Sequence, residues 1–407
     1  MITERSDNND LDFTTKAISL LAKYGASVIE LQKTASRLML RFLKDGEYLV
    51  MSGAFCINYG VRFNHKTVMV PLTNSELNVS KLQELTGVVE KVADGECSSV
   101  EGLIELSIVD AKKPLYGKLL TVFGWAMSSF GVAIIFGSNW QGAIVATVIS
   151  VVAAMINLNN IDKLKVLGNP LAAFFAVIIA VGLTDVFGNY SVPLVIVCGL
   201  ITLMPGFSLT QGISEIAHSH IVSGSARLMS ALITLLMLAV GVFIGYKVVG
   251  IYSSIQPGTF SVTPGSWEVI VIATAIVMIS LGIMFNVSCK RFGAIVVVGI
   301  LATLTMIYGG KVGGCYLGAG AATFVLIILG NGYARWRKCG AAIIKVPCIM
   351  VLVPGSVGFN GVISMLSTNM ESGMETGLMM MMTAVSLVVG GLLADGIFPQ
   401  HPRQKLT

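Results

Sequence analysis

Pro205-Gly206 and Pro354-Gly355 each interrupt a long apolar run, LITLMPGFSLTQGISEI from Leu200 and CIMVLVPGSVGFNGVISM from Cys348. Proline has no backbone N–H and clashes with the preceding helical turn, so each pair predicts a break at which peptide groups lose their helical partners. Inside hydrocarbon such groups must face protein, water or a ligand. Where each second half-helix begins, at Phe207 and Ser208 or at Ser356 and Val357, free N–H groups and the positive dipole end predict a seat for a carboxylate. Ser208, Thr210 and Gln211 near one break, with Ser356 and Asn360 near the other, add neutral donors and acceptors. That lining suits a small zwitterion or a small carboxylate bearing a hydroxyl. The expected substrate-binding residues are Pro205, Gly206, Ser208, Gln211, Pro354, Gly355, Ser356 and Asn360.

Few charged groups accompany these elements. Glu215 follows Ser208 on about the same helical face, where it stands to compensate a substrate ammonium or to take a coupling proton; the alternative is a solvated carboxylate at the cytoplasmic mouth. Asp185, near the outer end of a span, carries the same two readings, as does Asp395 in the last span, since an ionisable group within a span is a functional hypothesis by default. Arg227, in a cytoplasmic loop, is assigned to the cytoplasmic gate. His218 and His220 have no third ligand near them in sequence, and the seven cysteines show no CxxC spacing, so neither a metal site nor a disulfide framework is expected. No Walker A sequence occurs, which leaves ATP-driven transport by this chain without support. No cofactor and no nucleic-acid partner are expected.

The elements that must hold these residues are membrane helices. With 54% hydrophobic and 12% charged residues and 44 glycines in 407 positions, the chain is too apolar for an ordinary soluble globular enzyme, and the lipid bilayer is its expected partner. Apolar windows place spans at about 119–137, 140–156, 170–187, 191–205, 228–249, 267–286, 292–308, 312–330, 341–354 and 377–397. The fourth and ninth are short and each ends at Pro-Gly; continued past the break as Phe207 to Ala217 and Val357 to Leu366, they reach the length a crossing needs. The expected fold is a polytopic α-helical membrane protein of ten spans in two inverted five-helix repeats, with a small N-terminal cytoplasmic α+β domain. Its divisions are 1–115 for the cytoplasmic domain, 116–250 for the first five-span unit and 251–407 for the second, with a short cytoplasmic tail.

Orientation follows from the basic residues. Loops expected inside carry Lys163, Lys165, Arg227, Lys290, Arg291, Arg335, Arg337, Lys338 and Lys345, and the tail carries Arg403 and Lys405, against Lys247 and Lys311 outside. That asymmetry puts both termini in the cytoplasm of a plasma (cell inner) membrane protein. Trp140 and Trp267 are expected as outer interface anchors and Trp336 as an inner one, while Trp125 sits too deep for that role.

The first 115 residues hold a majority of the acidic side chains. From Asp12 to Arg41, Ile18, Leu21, Ala22, Ile29 and Leu38 recur at intervals near three and four and predict an amphipathic helix. Tyr48 to Tyr59 and Val61 to Pro71 read as strands, and Ser80 to Ala93 and Ser99 to Val109 as helices. The polar start MITERSDNND has no apolar stretch of the signal-peptide kind, so this domain is expected to stay in the cytoplasm.

Three stretches in order carry a resemblance: Gly25-Ala26 in LLAKYGASVIE with Glu30, Arg37 and the Ile57 to Asn64 region; LMPGFSLTQGISEIAHSHIVSGSARL with Pro205, Gly206, Gly224 and Arg227; and VLVPGSVGFNGV. In these the chain resembles the threonine/serine exporter family, over nearly its whole length. One departure is that Ser27, Val28 and Ile29 precede Glu30, with no arginine before Arg37. The resemblance implies a cytoplasmic domain with one five-span unit followed by a second, related unit, and export of small amino acids driven by the proton gradient, with protons as the coupling partner. It also connects the chain to a two-protein system resembling a succinate exporter, so export of C4-dicarboxylates is the alternative. The mechanism expected is alternating access about a site between the two Pro-Gly elements, with Thr184 and Asn157 either lining the path or bridging spans by hydrogen bonds. A homo-oligomer is left open.

Two other classes compete. A channel would use the glycines around Gly313, Gly314, Gly318 and Gly320 as a pore lining, although close helix contact is the preferred reading of such residues. A membrane enzyme or sensor would need a nucleophile, base and orienter, which Glu30, His65 and Cys97 do not supply.

Overall fold

The computed structural model describes residues 2–42, 47–51, 54–61, 64–71, 77–158, 167–188, 190–250, 265–337, 339–353, 355–366 and 370–399. Lys163, Lys165, Lys338, Pro354, Arg403 and Lys405 lie outside the described residues, as does the side chain of His65. Two compact units form: Met1–Leu115 with Gln211–Arg227 and Phe285–Val287, and Tyr116–Thr210 with Leu228–Met284 and Ser288–Thr407.

The first unit opens with α1 (Ile2–Lys23) and α2 (Val28–Phe42), where sequence periodicity predicts one helix. Gly25, at φ +101°, ends α1, and Ser27 and Glu30 start α2 as a reciprocal cap: the Ser27 N–H donates to Glu30 Oε2 at 2.9 Å and the Glu30 N–H to Ser27 Oγ at 3.3 Å. The departure from the family pattern at Ser27 is therefore a helix cap. Three strands follow, β1 (Glu47–Met51), β2 (Ala54–Val61) and β3 (Asn64–Pro71), in one antiparallel sheet of order β1-β2-β3, where two strands are expected. The register runs from Glu47↔Asn58 to Met51↔Ala54 and from Ala54↔Pro71 to Val61↔Asn64. Then come α3 (Val79–Asp94), capped by Asn78, and α4 (Ser99–Ala111), capped by Ser98 and Glu101. Phe13, Ile18, Leu31, Leu38, Phe55, Leu85 and Leu106 are the largest fully buried side chains of this domain; each contributes about 1.5–3 kcal/mol by leaving water. Phe285–Val287 are clasped to the start of α3: the Val79 N–H donates to the Phe285 carbonyl at 3.0 Å and Ser80 Oγ to the Asn286 carbonyl at 2.6 Å.

The second unit contains α5 (Lys118–Ile135), α6 (Trp140–Leu158), α7 (Gly168–Gly182), the short α8 (Thr184–Phe187), α9 (Val192–Gly199) and a 3-10 turn at Ile201–Leu203. After these come α10 (Gly206–Ala217) and α11 (Ile221–Val249), whose facing ends belong to the first unit. The remainder is α12 (Trp267–Met284), α13 (Phe292–Arg337), α14 (Ala342–Leu352), α15 (Gly355–Leu366) and α16 (Met370–Ile397). Buried serines tie the first helices together: Ser129 Oγ donates to the carbonyls of Ala146 at 2.8 Å and Cys198 at 2.9 Å, and Ser150 Oγ to that of Trp125 at 3.0 Å. Between lipid-facing helices such bonds and close packing of small residues replace the hydrophobic effect as the cohesive term.

The span count corrects the expectation. Among the described residues seven helices are long and apolar enough to cross a membrane, or eight if the bent pair Val192–Gly199 and Ile201–Ala217 counts as one span, in place of ten spans in two five-helix repeats. The stretch expected as the third span forms α7, only 15 residues long and short of the roughly 20 that a crossing needs. The seventh and eighth fall within a single apolar segment, Cys289–Arg337. Inside it the backbone leaves helical geometry at Gly313 (φ −134°) and Gly314 (φ +81°), and beyond that point Gly318 comes back against Gly309: a Cβ on Gly309 would lie 2.8 Å from the Gly318 Cα. Hydropathy windows register apolar length but neither where a helix ends nor where two windows share one segment.

Candidate functional site

Both Pro-Gly stretches are broken helices. In the first, α9 ends at Gly199, the 3-10 turn follows, Met204 is extended (φ −70°, ψ 127°), and α10 departs at 49° to the arm before it. The Gly206 N–H turns back to the Met204 carbonyl at 2.9 Å, and the helix is re-entered when the Leu209 N–H donates to the Pro205 carbonyl at 3.1 Å. In the second, α14 ends at Leu352, Val353 is extended (φ −74°, ψ 135°), and α15 begins at Gly355. The amides in the first turn of α10 and of α15 have no partner within their own helices.

The breaks meet. A Cβ built on Gly206 would lie 3.3 Å from the Cα of Gly355 and closer still to Val353 Cγ1; one built on Gly355 would lie 3.3 Å from the Cα of Gly206 and from Met204 Cβ. Only glycine at both positions lets the two backbones approach so closely. Around this junction Ser356 is buried, Ser208 is half-buried, and Thr210 turns its hydroxyl to the Phe207 carbonyl at 3.0 Å. Two buried oxygens have no hydrogen-bond partner among the described residues, Asn360 Oδ1 and Thr202 Oγ1. Asn360 was legible from the sequence. Thr202 was missed, its signal being a hydroxyl residue in an apolar run just before the break.

The first unit holds the other expected residues. α10 and α11 form a tight hairpin through His218, Ser219 and His220, with Ser219 at φ +68° and the His220 N–H donating to the Glu215 carbonyl at 2.9 Å. Glu215 is 1% exposed. Ser223 Oγ donates to its Oε2 at 2.7 Å, and Arg227 Nη2 stands 3.0 Å from its Oε1, an ion pair by distance though not aligned as a hydrogen bond. Gly224 makes the hairpin possible, because a Cβ there would lie 2.5 Å from the Gly212 carbonyl oxygen and from Ile216 Cγ1. Ser223, unremarked in sequence, is the residue that orients Glu215. Gln211 lies on α10 at the edge of this unit.

Other expected residues stand apart. Asp185 is exposed on α8, and burial together with the Asp185 charge pushes the Tyr190 phenol up to about 12. Asn157 and Thr184 bond to carbonyls of nearby residues, Ala153 at 3.0 Å and Val181 at 2.6 Å. His218 Nδ1 lies 2.8 Å from the Ser214 carbonyl oxygen. Among the described residues no group of three or more His, Cys, Asp or Glu side chains is placed to hold a metal ion.

A polytopic helical membrane protein whose interrupted helices touch backbone to backbone is the class that this architecture defines. Residues 12–249 match the family described as "Putative threonine/serine exporter", and residues 270–397 that described as "Threonine/Serine exporter, ThrE". The chain belongs to the threonine/serine exporter family. It is 24% identical over 413 residues to pheromone-regulated membrane protein 10 of Candida glabrata, covering 93% of this chain and 51% of that one. It is also 24% identical over 339 residues to a threonine/serine exporter of Corynebacterium glutamicum, covering 79% and 68% respectively. With pheromone-regulated membrane protein 10 of Kluyveromyces lactis the identity is 21% over 420 residues, covering 95% and 43%. The chain thus spans about half the length of these yeast relatives. No solved structure matches it.

Proposed function

We propose that the protein is a secondary active exporter of small amino acids, threonine and serine, working by alternating access with proton antiport. The observation that carries this reading is the meeting of the two broken helices at Gly206 and Gly355, with side-chain oxygens on Thr202 and Asn360 that have no partner among the described residues. A substrate carboxylate seats against the amides of Phe207 and Ser208, or of Ser356 and Val357, where the half-helix dipoles are positive. Ser208, Gln211, Ser356 and Asn360 supply donors and acceptors for the ammonium and the hydroxyl. Pro205 and Pro354 keep the helices from running through the site. A substrate hydroxyl that satisfies a buried acceptor gives selectivity, because a substrate without it leaves the protein group unpaired.

Glu215 and Arg227 close the gate on the α10–α11 hairpin. While paired they neutralise each other, and a passing ammonium competes with Arg227 for the carboxylate, so that gate opening and charge compensation are one event. The protein sits in the plasma membrane with its N-terminal domain inside, and the proton gradient supplies the driving force.

The test is counterflow in liposomes with labelled threonine, serine and succinate, with and without an imposed pH gradient. Saturable exchange of threonine and serine that responds to the gradient is expected. Exchange of succinate alone would replace the amino-acid assignment by a dicarboxylate one, and non-saturable flux would replace the transporter by a channel.

A further inference from the structure

A second group of polar side chains lies on the other broken span, away from its break. Lys345 stands on the first turn of α14, Asp395 on the last turn of α16 and Asn331 near the end of α13. Lys345 Nζ is 3.0 Å from Asp395 Oδ1, and Asn331 Nδ2 donates to that same oxygen and to the Phe398 carbonyl, both at 2.7 Å. Asn331 is fully buried, and its Oδ1 has no partner among the described residues. The Lys345 side chain is 18% exposed and that of Asp395 49%, so the cation is sheltered while the carboxylate stays open to protons.

Ionised side chains on membrane helices are costly and persist where they act. This pair joins α14, the arm that leads through Val353 to the Gly206–Gly355 junction, to α16. We propose that Asp395 and Lys345 form a proton-operated latch on the second broken span, with Asn331 as the positioning residue; the proposal rests on the exporter reading above. When the Asp395 carboxylate takes a proton from water through its exposed half, its attraction for Lys345 is lost and the α14 arm is released. The Asn331 carboxamide, which holds the Asp395 carboxylate through Nδ2, has an oxygen with no partner among the described residues. Loss of that proton to water restores the pair and re-seats the arm. Among the described residues Arg335 is also near, its guanidinium donating to the Pro399 carbonyl and lying 3.9 Å over the Phe398 ring. α15, which also packs on α16, carries no ionisable side chain.

The experiment uses the full chain in liposomes with two assays, threonine counterflow at equal pH and threonine accumulation driven by a pH gradient. For Asp395→Asn and Lys345→Met, counterflow is expected within about twofold of wild type and gradient-driven accumulation lower by about tenfold, within the range of coupling between linked sites. The exchanged pair, Lys345→Asp with Asp395→Lys, is expected to recover part of the gradient response. An unchanged gradient response in Asp395→Asn overturns the latch, and so does an equal fall of both assays in all three variants, which makes the pair structural only. If wild type shows counterflow but no gradient response, the latch falls together with proton antiport while the amino-acid carrier reading stands; if it shows no counterflow, all of them fall.

Discussion

Arg227 reaches the Glu215 carboxylate one helical turn after Ser223, so that Oε1 faces a guanidinium at 3.0 Å and Oε2 a hydroxyl at 2.7 Å. Both ligands come from the start of α11, and the carboxylate is presented by the last turns of α10. Three residues of one short motif therefore act as a unit, and their substitutions should not add.

Glu215→Ala leaves the three-quarters-buried Arg227 side chain without its counter-charge, and removal of one partner of a buried pair costs about 3–5 kcal/mol. Arg227→Ala exposes the same deficit from the other side. The double variant should recover part of the loss, giving a coupling of at least ~1 kcal/mol in a double-mutant cycle. Thermal unfolding of the purified chain in detergent checks this, and additive single losses would show that the two side chains do not interact. Threonine counterflow should fall in both single variants by more than the change in protein amount accounts for.

At the helix breaks the prediction concerns volume. A methyl on Gly206 meets Val353 and the Gly355 backbone, and overpacking of this kind costs about 1–3 kcal/mol. Because the tightest contact is with Val353 Cγ1, adding Val353→Ala to Gly206→Ala should return much of the stability and some of the transport. Pro205→Ala and Pro354→Ala act differently: they let each helix run on and occupy the free amides, lowering transport with little loss of protein from the membrane. Transport kinetics unchanged in both proline variants would remove the proposed site.

The proline-glycine pairs were readable because a missing N–H followed by a conformationally free glycine favours a break, whereas Pro347, with no glycine after it, lies inside α14 without ending it. That the two breaks face one site was an expectation from the paired Pro-Gly elements, but their contact at Gly206 and Gly355 was not readable, since it depends on Val353 and Met204 packing around two glycines that are distant in sequence. Glu215 was visible as a carboxylate out of place, but its fate depended on Ser223 and Arg227, brought to it by a hairpin whose tight turn uses Ser219 in the left-handed region. Lys345 was counted with the inside loops although the expected ninth span, 341–354, contained it; in the structure it stands in the first turn of α14. In the N-terminal domain, Gly25 and Ser27 encode the stop and the start between α1 and α2, yet the apolar periodicity on either side continues across them and suggested one helix. The same limit produced the surplus of spans, where windows of apolar residues outnumbered the helices able to cross.

In the N-terminal domain the pH dependence has a definite sign. Asp110 Oδ1 accepts from Lys23 Nζ at 2.7 Å and from Tyr24 Oη at 2.5 Å, while Lys81 Nζ donates to the Asp110 carbonyl at 2.8 Å. Burial pushes the Asp110 carboxyl up, but the bonds from Lys23 and Tyr24 and the nearby positive charges outweigh it and leave it below the ordinary value. The Asp110 bond in turn holds the Lys23 ammonium above its ordinary value against some desolvation. A depressed carboxyl stabilises the fold above its unfolded value, near 4, and that contribution disappears as pH falls through the folded value. A raised lysine stabilises below its unfolded value and loses the contribution as pH rises through the folded one. Hydrogen-exchange protection in α1 and α4 of the full chain, taken relative to the intrinsic rate at each pH, should therefore be highest across neutral pH and fall below about pH 4, with the acid limb missing in Asp110→Asn. At pH 7 that variant should lose only about 0.5–1 kcal/mol, because water screens a group this exposed. An acid limb that survives the substitution would assign it to other carboxylates.

Gly314 offers the last test. Its φ of +81° and ψ of 170° lie where a side chain is strained, and nothing stands within 4 Å of a Cβ built there, so the cost of Gly314→Ala is conformational and not steric. Such backbone strain is worth about 1–3 kcal/mol. The neighbouring Gly313 has negative φ, but a Cβ there meets Leu317 Cδ2 most closely, an atom that alanine lacks, so Gly313→Ala should be relieved by Leu317→Ala while Gly314→Ala should not. Thermal unfolding of the four variants in detergent separates the two causes. Equal rescue of both glycine substitutions by Leu317→Ala would mean that crowding, and not the left-handed backbone, decides where this helix breaks.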